Sequence, residues 1–259
     1  MKKEESRFIE STVMEGMISF RAVIDGIKSG VNTRKIIKVL YDAQKGKSLS
    51  SHLRYIRAIG KEYNFPVEET DSETIASLAI GTSHGGLLTL CTDRALPDLS
   101  EIREEKGFFV MLDGIEDPYN FGYALRSLYA AGVDGVILPP RNWMTAAGVV
   151  SRSSAGASET MPLYLAKSEE AVARIFHEKG YRVVCADLDN SKPMKEANLS
   201  RPLLLAVGGE KRGLSKDLLA AADEIVRIDY GRAFRQSLSA ASAAAILAFA
   251  VLDQNPQEC

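Results

Sequence analysis

Asp113-Gly-Ile-Glu-Asp-Pro-Tyr-Asn-Phe-Gly-Tyr-Ala-Leu-Arg126 is the stretch whose reading decides the fold. The apolar run 108–112 precedes it, as in a strand covered on both faces. Asp117-Pro118 is a helix start, a capping carboxylate followed by proline at the first helical position. Asn120 then falls in the first turn, and Arg126 follows six residues on, leaning partly toward the same side. Two further stretches have the same strand-to-helix layout. Val207-Gly-Gly-Glu-Lys-Arg-Gly-Leu-Ser215 follows the apolar run 203–207, and Ser237-Leu-Ser-Ala-Ala-Ser-Ala-Ala-Ala-Ile246 follows 224–228. Ligands of parallel α/β sheets bind outside the carboxyl ends of the strands, so three polar junctions describe one crevice.

Outward from these motifs, strands are expected at 108–112, 135–138, 182–186, 203–207 and 224–228. Helices are expected at 118–131, 168–179, 215–221 and 237–252. The alternation gives an α/β fold with a parallel sheet covered on both sides. Residues 96–107 hold a proline and a charge cluster between apolar runs, as linkers do. Before them the spacing predicts a smaller α/β unit: a strand near 35–41, a helix over 50–63 with Leu53, Ile56 and Ile59 on one face, a short strand at Pro66-Val67, a helix capped by Asp71 and a strand at 86–91. The chain therefore divides into 1–95, a linker at 96–107, and 108–259.

The balance of 46% hydrophobic and 25% charged residues is that of a globular protein, and the net charge of −2 does not announce a nucleic-acid binder. Its distribution says more. From Arg21 to Lys61, ten basic residues face only Asp25 and Asp42. Such a block either binds phosphates by releasing counterions or is a solvated face. Cys91, Cys185 and Cys259, like His52, His84 and His177, are scattered, which indicates no metal site. Cys185 lies in an apolar run and reads as a core thiol. Sparse cysteines and no secretory signal point to the cytoplasm. The longest apolar run, 240–252, is too short to span a bilayer. That same run is apolar all round, so a helix there needs a second buried face, which points to a homodimer.

The glycine turn at 208–213 lacks the Gly-x-Gly-x-x-Gly spacing of a dinucleotide site, and Glu210 would sit where a pyrophosphate must lie. A phosphate-free cofactor such as S-adenosylmethionine suits it better, since its sulfonium tolerates carboxylates.

In order and spacing, the three motifs resemble those of the SpoU/TrmH family (SPOUT class) of RNA ribose 2′-O-methyltransferases. Motif one matches the family's Asp-Pro-x-Asn-x-Gly-x-x-x-Arg throughout. Motif two matches Gly-x-Glu-x-x-Gly-Leu-Ser at Gly208, Glu210, Gly213, Leu214 and Ser215. Motif three departs from Ile-Pro-Met and Ser-Leu-Asn: Asp229 replaces Pro, Ser239 replaces Asn, and the loop is one residue longer.

The resemblance implies a C-terminal trefoil-knot domain preceded by a substrate-binding domain of ribosomal-protein L30-like shape. Gly81-Thr-Ser-His-Gly-Gly-Leu87 matches that smaller domain. The resemblance also implies S-adenosylmethionine as cofactor and structured RNA as partner, ribosomal ahead of transfer RNA. Arg126, Asn120, Glu210 and Ser237 are the implied catalytic residues; Gly208, Gly209, Ile228, Leu238 and Ser239 are the implied cofactor contacts. A guanidinium is effectively always protonated, so Arg126 is better suited to gripping phosphate and stabilising an alkoxide than to acting as a base. Arg152-Ser-Ser-Ala-Gly-Ala157 matches a family stretch expected to shape the crevice or the knot. Two rivals remain: a non-catalytic RNA-binding protein of the same fold, favoured by Ser239, and a small-molecule enzyme on a doubly wound fold, disfavoured by the missing dinucleotide fingerprint.

Overall fold

The computed structural model describes residues 13–139, 146–209, 212–233 and 236–256. These form two compact units, described separately.

The first unit begins with β1 (Val13–Glu15), α1 (Gly16–Lys28), β2 (Ile36–Asp42), α2 (Ser50–Tyr63), β3 (Val67–Thr70), α3 (Ser72–Leu78) and β4 (Leu87–Cys91). Its sheet runs β1-β4-β2-β3, with β4 antiparallel to both neighbours and β3 parallel to β2. The helical spacing of α2 buries Leu53, Ile56 and Ile59 against Phe20 and Ile24 of α1 and Val39 of β2. Asn64, at φ 55°, ends α2 in the left-handed conformation, and the Asp71 carboxylate caps α3 by accepting from Thr74 N.

The second unit continues with β5 (Phe108–Leu112), α4 (Pro118–Ala130) and β6 (Gly135–Leu138). Two short helices, α5 (Ala147–Ser153) and α6 (Ala157–Thr160), then pack back into the first unit. The second unit resumes with β7 (Leu163–Leu165), α7 (Glu169–Glu178), β8 (Arg182–Ala186), β9 (Lys192–Pro193), β10 (Leu203–Val207), α8 (Lys216–Ala221), β11 (Glu224–Arg227) and α9 (Ala240–Gln254). Its sheet is parallel throughout, in the order β7-β6-β5-β10-β8-β11-β9. Hence β10 lies between β5 and β8, which brings motifs one and two side by side. Burial pushes the Cys185 thiol on β8 up to about 12, as befits a core residue.

The packing departs from the contiguous division 1–95, 96–107 and 108–259. Residues 96–107 are built into the second unit: Leu99 and Ile102 are buried in its core, and Lys179 Nζ donates to Ile102 O. Residues 146–160 belong to the first unit. There Arg152 forms an ion pair with buried Glu15, whose other carboxylate oxygen accepts the amides of Ile80 and Gly81. Glu159 is buried beside Arg34 at 2.9 Å and accepts from Asn32. Arg34 therefore leaves the basic block as a structural residue, and Lys38 pairs with Glu68 at 2.9 Å.

The last helix starts at Ala240, three residues later than expected, because Ser239 is its cap and accepts from Ser242 N. Ala240, Ala244, Leu247, Ala248 and Val251 are buried, and the helix packs on α4 and β10. Ile246 and Phe249 stay 37% and 44% exposed.

Removing one partner of a buried ion pair strands the other charge. Glu159→Ala, which leaves Arg34 without its carboxylate, should destabilise the first unit by about 3–5 kcal/mol, read from urea unfolding. An unchanged midpoint would show that α6 is not anchored by this pair.

Candidate active site

The carboxyl ends of β5, β8, β10 and β11 carry two cavities. The larger, about 330 Å³, is lined by the chain after β8 (Ala186 to Asp189), by Val207, Gly208, Gly209 and Gly213 of motif two, and by Arg227, Ile228, Tyr230, Ser237 and Leu238 of motif three. Ala240, Ala243 and Leu247 of α9 form part of its wall. The smaller, about 200 Å³, is lined by Gly114, Ile115, Glu116, Asp117 and Asn120 of motif one with Ala240 and Ala241. Ala240 thus borders both.

Glycine is required where the motifs meet. A Cβ on Gly209 would lie 2.6 Å from the Gly114 Cα, so the turn after β10 touches the turn after β5 backbone to backbone. A Cβ on Gly208 would meet the returning turn, 2.6 Å from Leu214 N. Gly213, at φ 64°, allows that return, and its amide donates to Gly209 O at 3.0 Å. These glycines serve chain packing first; the ligand cavity sees only their backbone.

The structure brings Gly208, Gly209, Ile228, Ser237 and Leu238 together in one cavity and puts Asn120 in the other. Asp117 caps α4 as expected, accepting from Tyr119 N and Asn120 N. Ser239 lines neither cavity, its hydroxyl being engaged with Ser242 at the helix cap. Arg126 is exposed on α4 and also lines neither, which corrects the expectation that it leans toward the side of Asn120: six residues of helix leave the two about 120° apart. Glu210 lies outside the described residues.

The sequence reading missed Asp187, Leu188, Asp189 and Tyr230. The first three follow a strand that is remote in sequence, and only the placement of β8 beside β10 and β11 makes them neighbours of the motifs.

The lining chemistry is selective. Val207, Val226, Ile228, Leu238 and Leu247 are apolar, and Asp187 and Asp189 carry carboxylates. Arg227 is the single cation among the described lining residues, and it is engaged with Asp229 at 2.9 Å and with Ser191 O. Such a cavity opposes a pyrophosphate and accommodates a flat base, hydroxyls and a positive centre, which are the parts of S-adenosylmethionine.

Because a side chain on Gly209 cannot be placed without moving Gly114, Gly209→Ala should disturb both cavities at once. A loss of cofactor affinity of at least tenfold with a lowered Tm is the expected outcome, by calorimetry and thermal melting. Normal binding would show that the contact yields cheaply.

Comparison with known proteins follows the same lines. The model of the SpoU rRNA Methylase family matches residues 107–249. A 23S rRNA (guanosine-2′-O-)-methyltransferase, RlmB, of Shewanella oneidensis is 29% identical over 194 residues, 73% of this chain and 77% of its own. The AdoMet-bound rRNA methyltransferase of Sinorhizobium meliloti superposes with a TM-score of 0.80 at 23% identity, over 98% of this chain and 95% of that one. The SpoU methyltransferase AviRb of Streptomyces viridochromogenes, solved with AdoMet, gives 0.76 at 21% identity, over 93% and 89%. The structural likenesses show a shared fold across both units, the SPOUT fold in the second. With the described parts of the three motifs at the carboxyl ends of one parallel sheet and the family match spanning more than half of its residues, the chain belongs to the SpoU rRNA methylase family.

Proposed function

We propose that this protein transfers a methyl group from S-adenosylmethionine to the 2′-hydroxyl of a ribose in structured RNA. The observation that carries the reading is the phosphate-averse cavity of motifs two and three, set against the Asn120 cavity across the Gly114–Gly209 contact. Relatives named for guanosine methylation of 23S rRNA make a guanosine of ribosomal RNA the first substrate to test, ahead of transfer RNA.

When bound, the cofactor supplies an electrophilic methyl on a sulfonium. The chain's residues do the rest. Gly208, Gly209, Ile228 and Leu238 hold the cofactor through backbone and apolar contact, and Ser237 offers a hydroxyl at the same wall. Asn120 orients the ribose from the second cavity, and Glu210 is assigned to reactant positioning by its motif alone. A ribose hydroxyl is a poor nucleophile, so positioning and stabilisation of its developing negative charge dominate the barrier. Arg126 supplies that stabilisation and grips the adjacent phosphate.

The exposed basic residues of the first unit, Arg21, Arg54, Arg57 and Lys61, give the RNA an anchoring face, with the Arg21 guanidinium 5.8 Å from the centre of the Tyr55 ring. An RNA substrate supports a cytoplasmic location, which cell fractionation checks.

The test is methyl transfer to ribosomal RNA from cells lacking the gene, with the product mapped as 2′-O-methylribose. Arg126→Ala should lower turnover by two orders of magnitude or more while cofactor binding survives; Arg126→Lys should fail too if planar phosphate geometry matters. Arg54→Glu with Lys61→Glu should raise KM for RNA and flatten its salt dependence, leaving cofactor affinity alone. Deleting residues 1–95 would be a poor substitute, because it strips Glu159 of Arg34. Cofactor binding without any transfer would favour a non-catalytic RNA-binding protein of the same fold.

We also propose a homodimer through α4 and α9. Tyr119, Tyr123 and Tyr129 on α4 and Ile246 and Phe249 on α9 stay exposed on two helices that pack together, an apolar surface that a second copy would cover. Arg126 stands among these tyrosines, so each subunit would lend its guanidinium to the partner's site. Phe249→Lys should yield a monomer near 28 kDa by light scattering that has lost transfer; a wild-type monomer with full activity would refute the shared site.

A further inference from the structure

Motif three departs from the family pattern at the wall of the larger cavity. The pattern's proline would fix the backbone after β11, but Asp229 stands there, followed by Tyr230 where the pattern has methionine. Polar contacts of two side chains, Arg227 and Tyr230, tie down this segment instead. Arg227 Nε donates to Asp229 Oδ1 at 2.9 Å, and Nη1 of the same guanidinium donates to Ser191 O, fastening the strand end to the chain after β8. Tyr230 Oη accepts the backbone N–H of Leu238 at 3.2 Å. Leu238 immediately precedes the cap of α9, and an amide there has no intrahelical acceptor of its own. Tyr230, Ser237 and Leu238 all line the cavity.

We propose that Tyr230 is a positioning residue for the cofactor: its hydroxyl holds the Leu238 amide, and with it the Ser237–Leu238 backbone, in place at the cavity wall. The inference rests on the reading of that cavity as the S-adenosylmethionine site. A methionine or phenylalanine at 230 fills similar space but offers the Leu238 amide no comparable acceptor. Without the hydroxyl, the backbone that flanks the cofactor must be ordered during binding rather than before it, and that cost appears in affinity. Tyr230 belongs to the wall of the cofactor cavity, so its role is read in cofactor affinity against the rate at saturating cofactor.

Full-length Tyr230→Phe is compared with wild type by calorimetry with S-adenosylmethionine and by steady-state methylation of ribosomal RNA. Loss of one neutral hydrogen bond corresponds to about a threefold to tenfold rise in Kd. KM for the cofactor should rise in step, while kcat at saturating cofactor and KM for RNA move less than about twofold. The cofactor-free Tm should hold to within about 2 °C, since a merely structural role would lower it. Tyr230→Met should reproduce the phenylalanine result. Unchanged Kd in either variant overturns the proposal, as does a fall in kcat or Tm that accounts for the loss. If wild type itself binds no S-adenosylmethionine, the reading of the cavity falls and takes this inference with it; if wild type binds and the variants bind equally, only the role of Tyr230 falls.

Discussion

The site depends on one close approach, the backbone of Gly209 against that of Gly114. It exists because β10 is inserted between β5 and β8, so that turns ninety-five residues apart in sequence leave neighbouring strands at the same edge. Each turn needs freedom that only glycine has: Gly114 adopts φ 72°, and neither residue has room for a Cβ. Where a side chain would hold the two turns apart and merge the space between them, bare backbone closes it into a partition. One side then receives apolar walls and carboxylates from β8, β10 and β11, and the other receives Asn120 from α4.

That partition suits a reaction between two bound molecules. A methyl donor and an RNA ribose must be held separately, yet close enough to react, and entropy favours a site in which each has its own rigid wall. Ala240 borders both cavities and is the first residue of α9, so the small side chains of motif three have a use at the site as well as in helix packing. A larger residue at 240 would fill one cavity or the other. The alanines that make the last helix read as apolar all round are thus, at its first turn, a matter of site volume.

Most strands of the second unit were legible because buried parallel strands are continuous apolar runs, and 108–112, 135–138, 182–186 and 203–207 fall where the pattern puts them. Helix α2 was legible from its three isoleucine and leucine positions. Strand order was not, since periodicity says how a segment is covered and nothing about its neighbours; hence Asp187 and Asp189 went unnoticed. The return of 146–160 to the first unit was equally hidden. Its signals are a buried Glu159 and a Gly156 packed on Ala22, which in sequence look like a surface acid and an ordinary turn. Ser239 is a third case: a motif match identifies the position, and with Ser in place of Asn the hydroxyl there caps the last helix, which the motif pattern does not foretell.

Arg126 poses the remaining physical question, because a residue that steers charge at a reaction centre works weakly in open water. On α4 it is exposed, and at an effective dielectric constant of 80 a charge 4 Å away gains only about 1 kcal/mol from it. The same pair gains about 4 kcal/mol when the surroundings fall to an effective value near 20. The tyrosines beside Arg126 and the exposed Ile246 and Phe249 of α9 are the groups that would exclude water on association. In the proposed dimer, then, the apolar surface and the proposed role of the Arg126 guanidinium are not separate features. Covering the first lowers the dielectric around the second, so burial that stabilises the assembly also strengthens the stabilisation of the alkoxide. On the proposed reading, the described residues of a single chain line the two cavities with no cation but Arg227, which is already engaged, and the partner's Arg126 would supply the charge that stabilises the alkoxide.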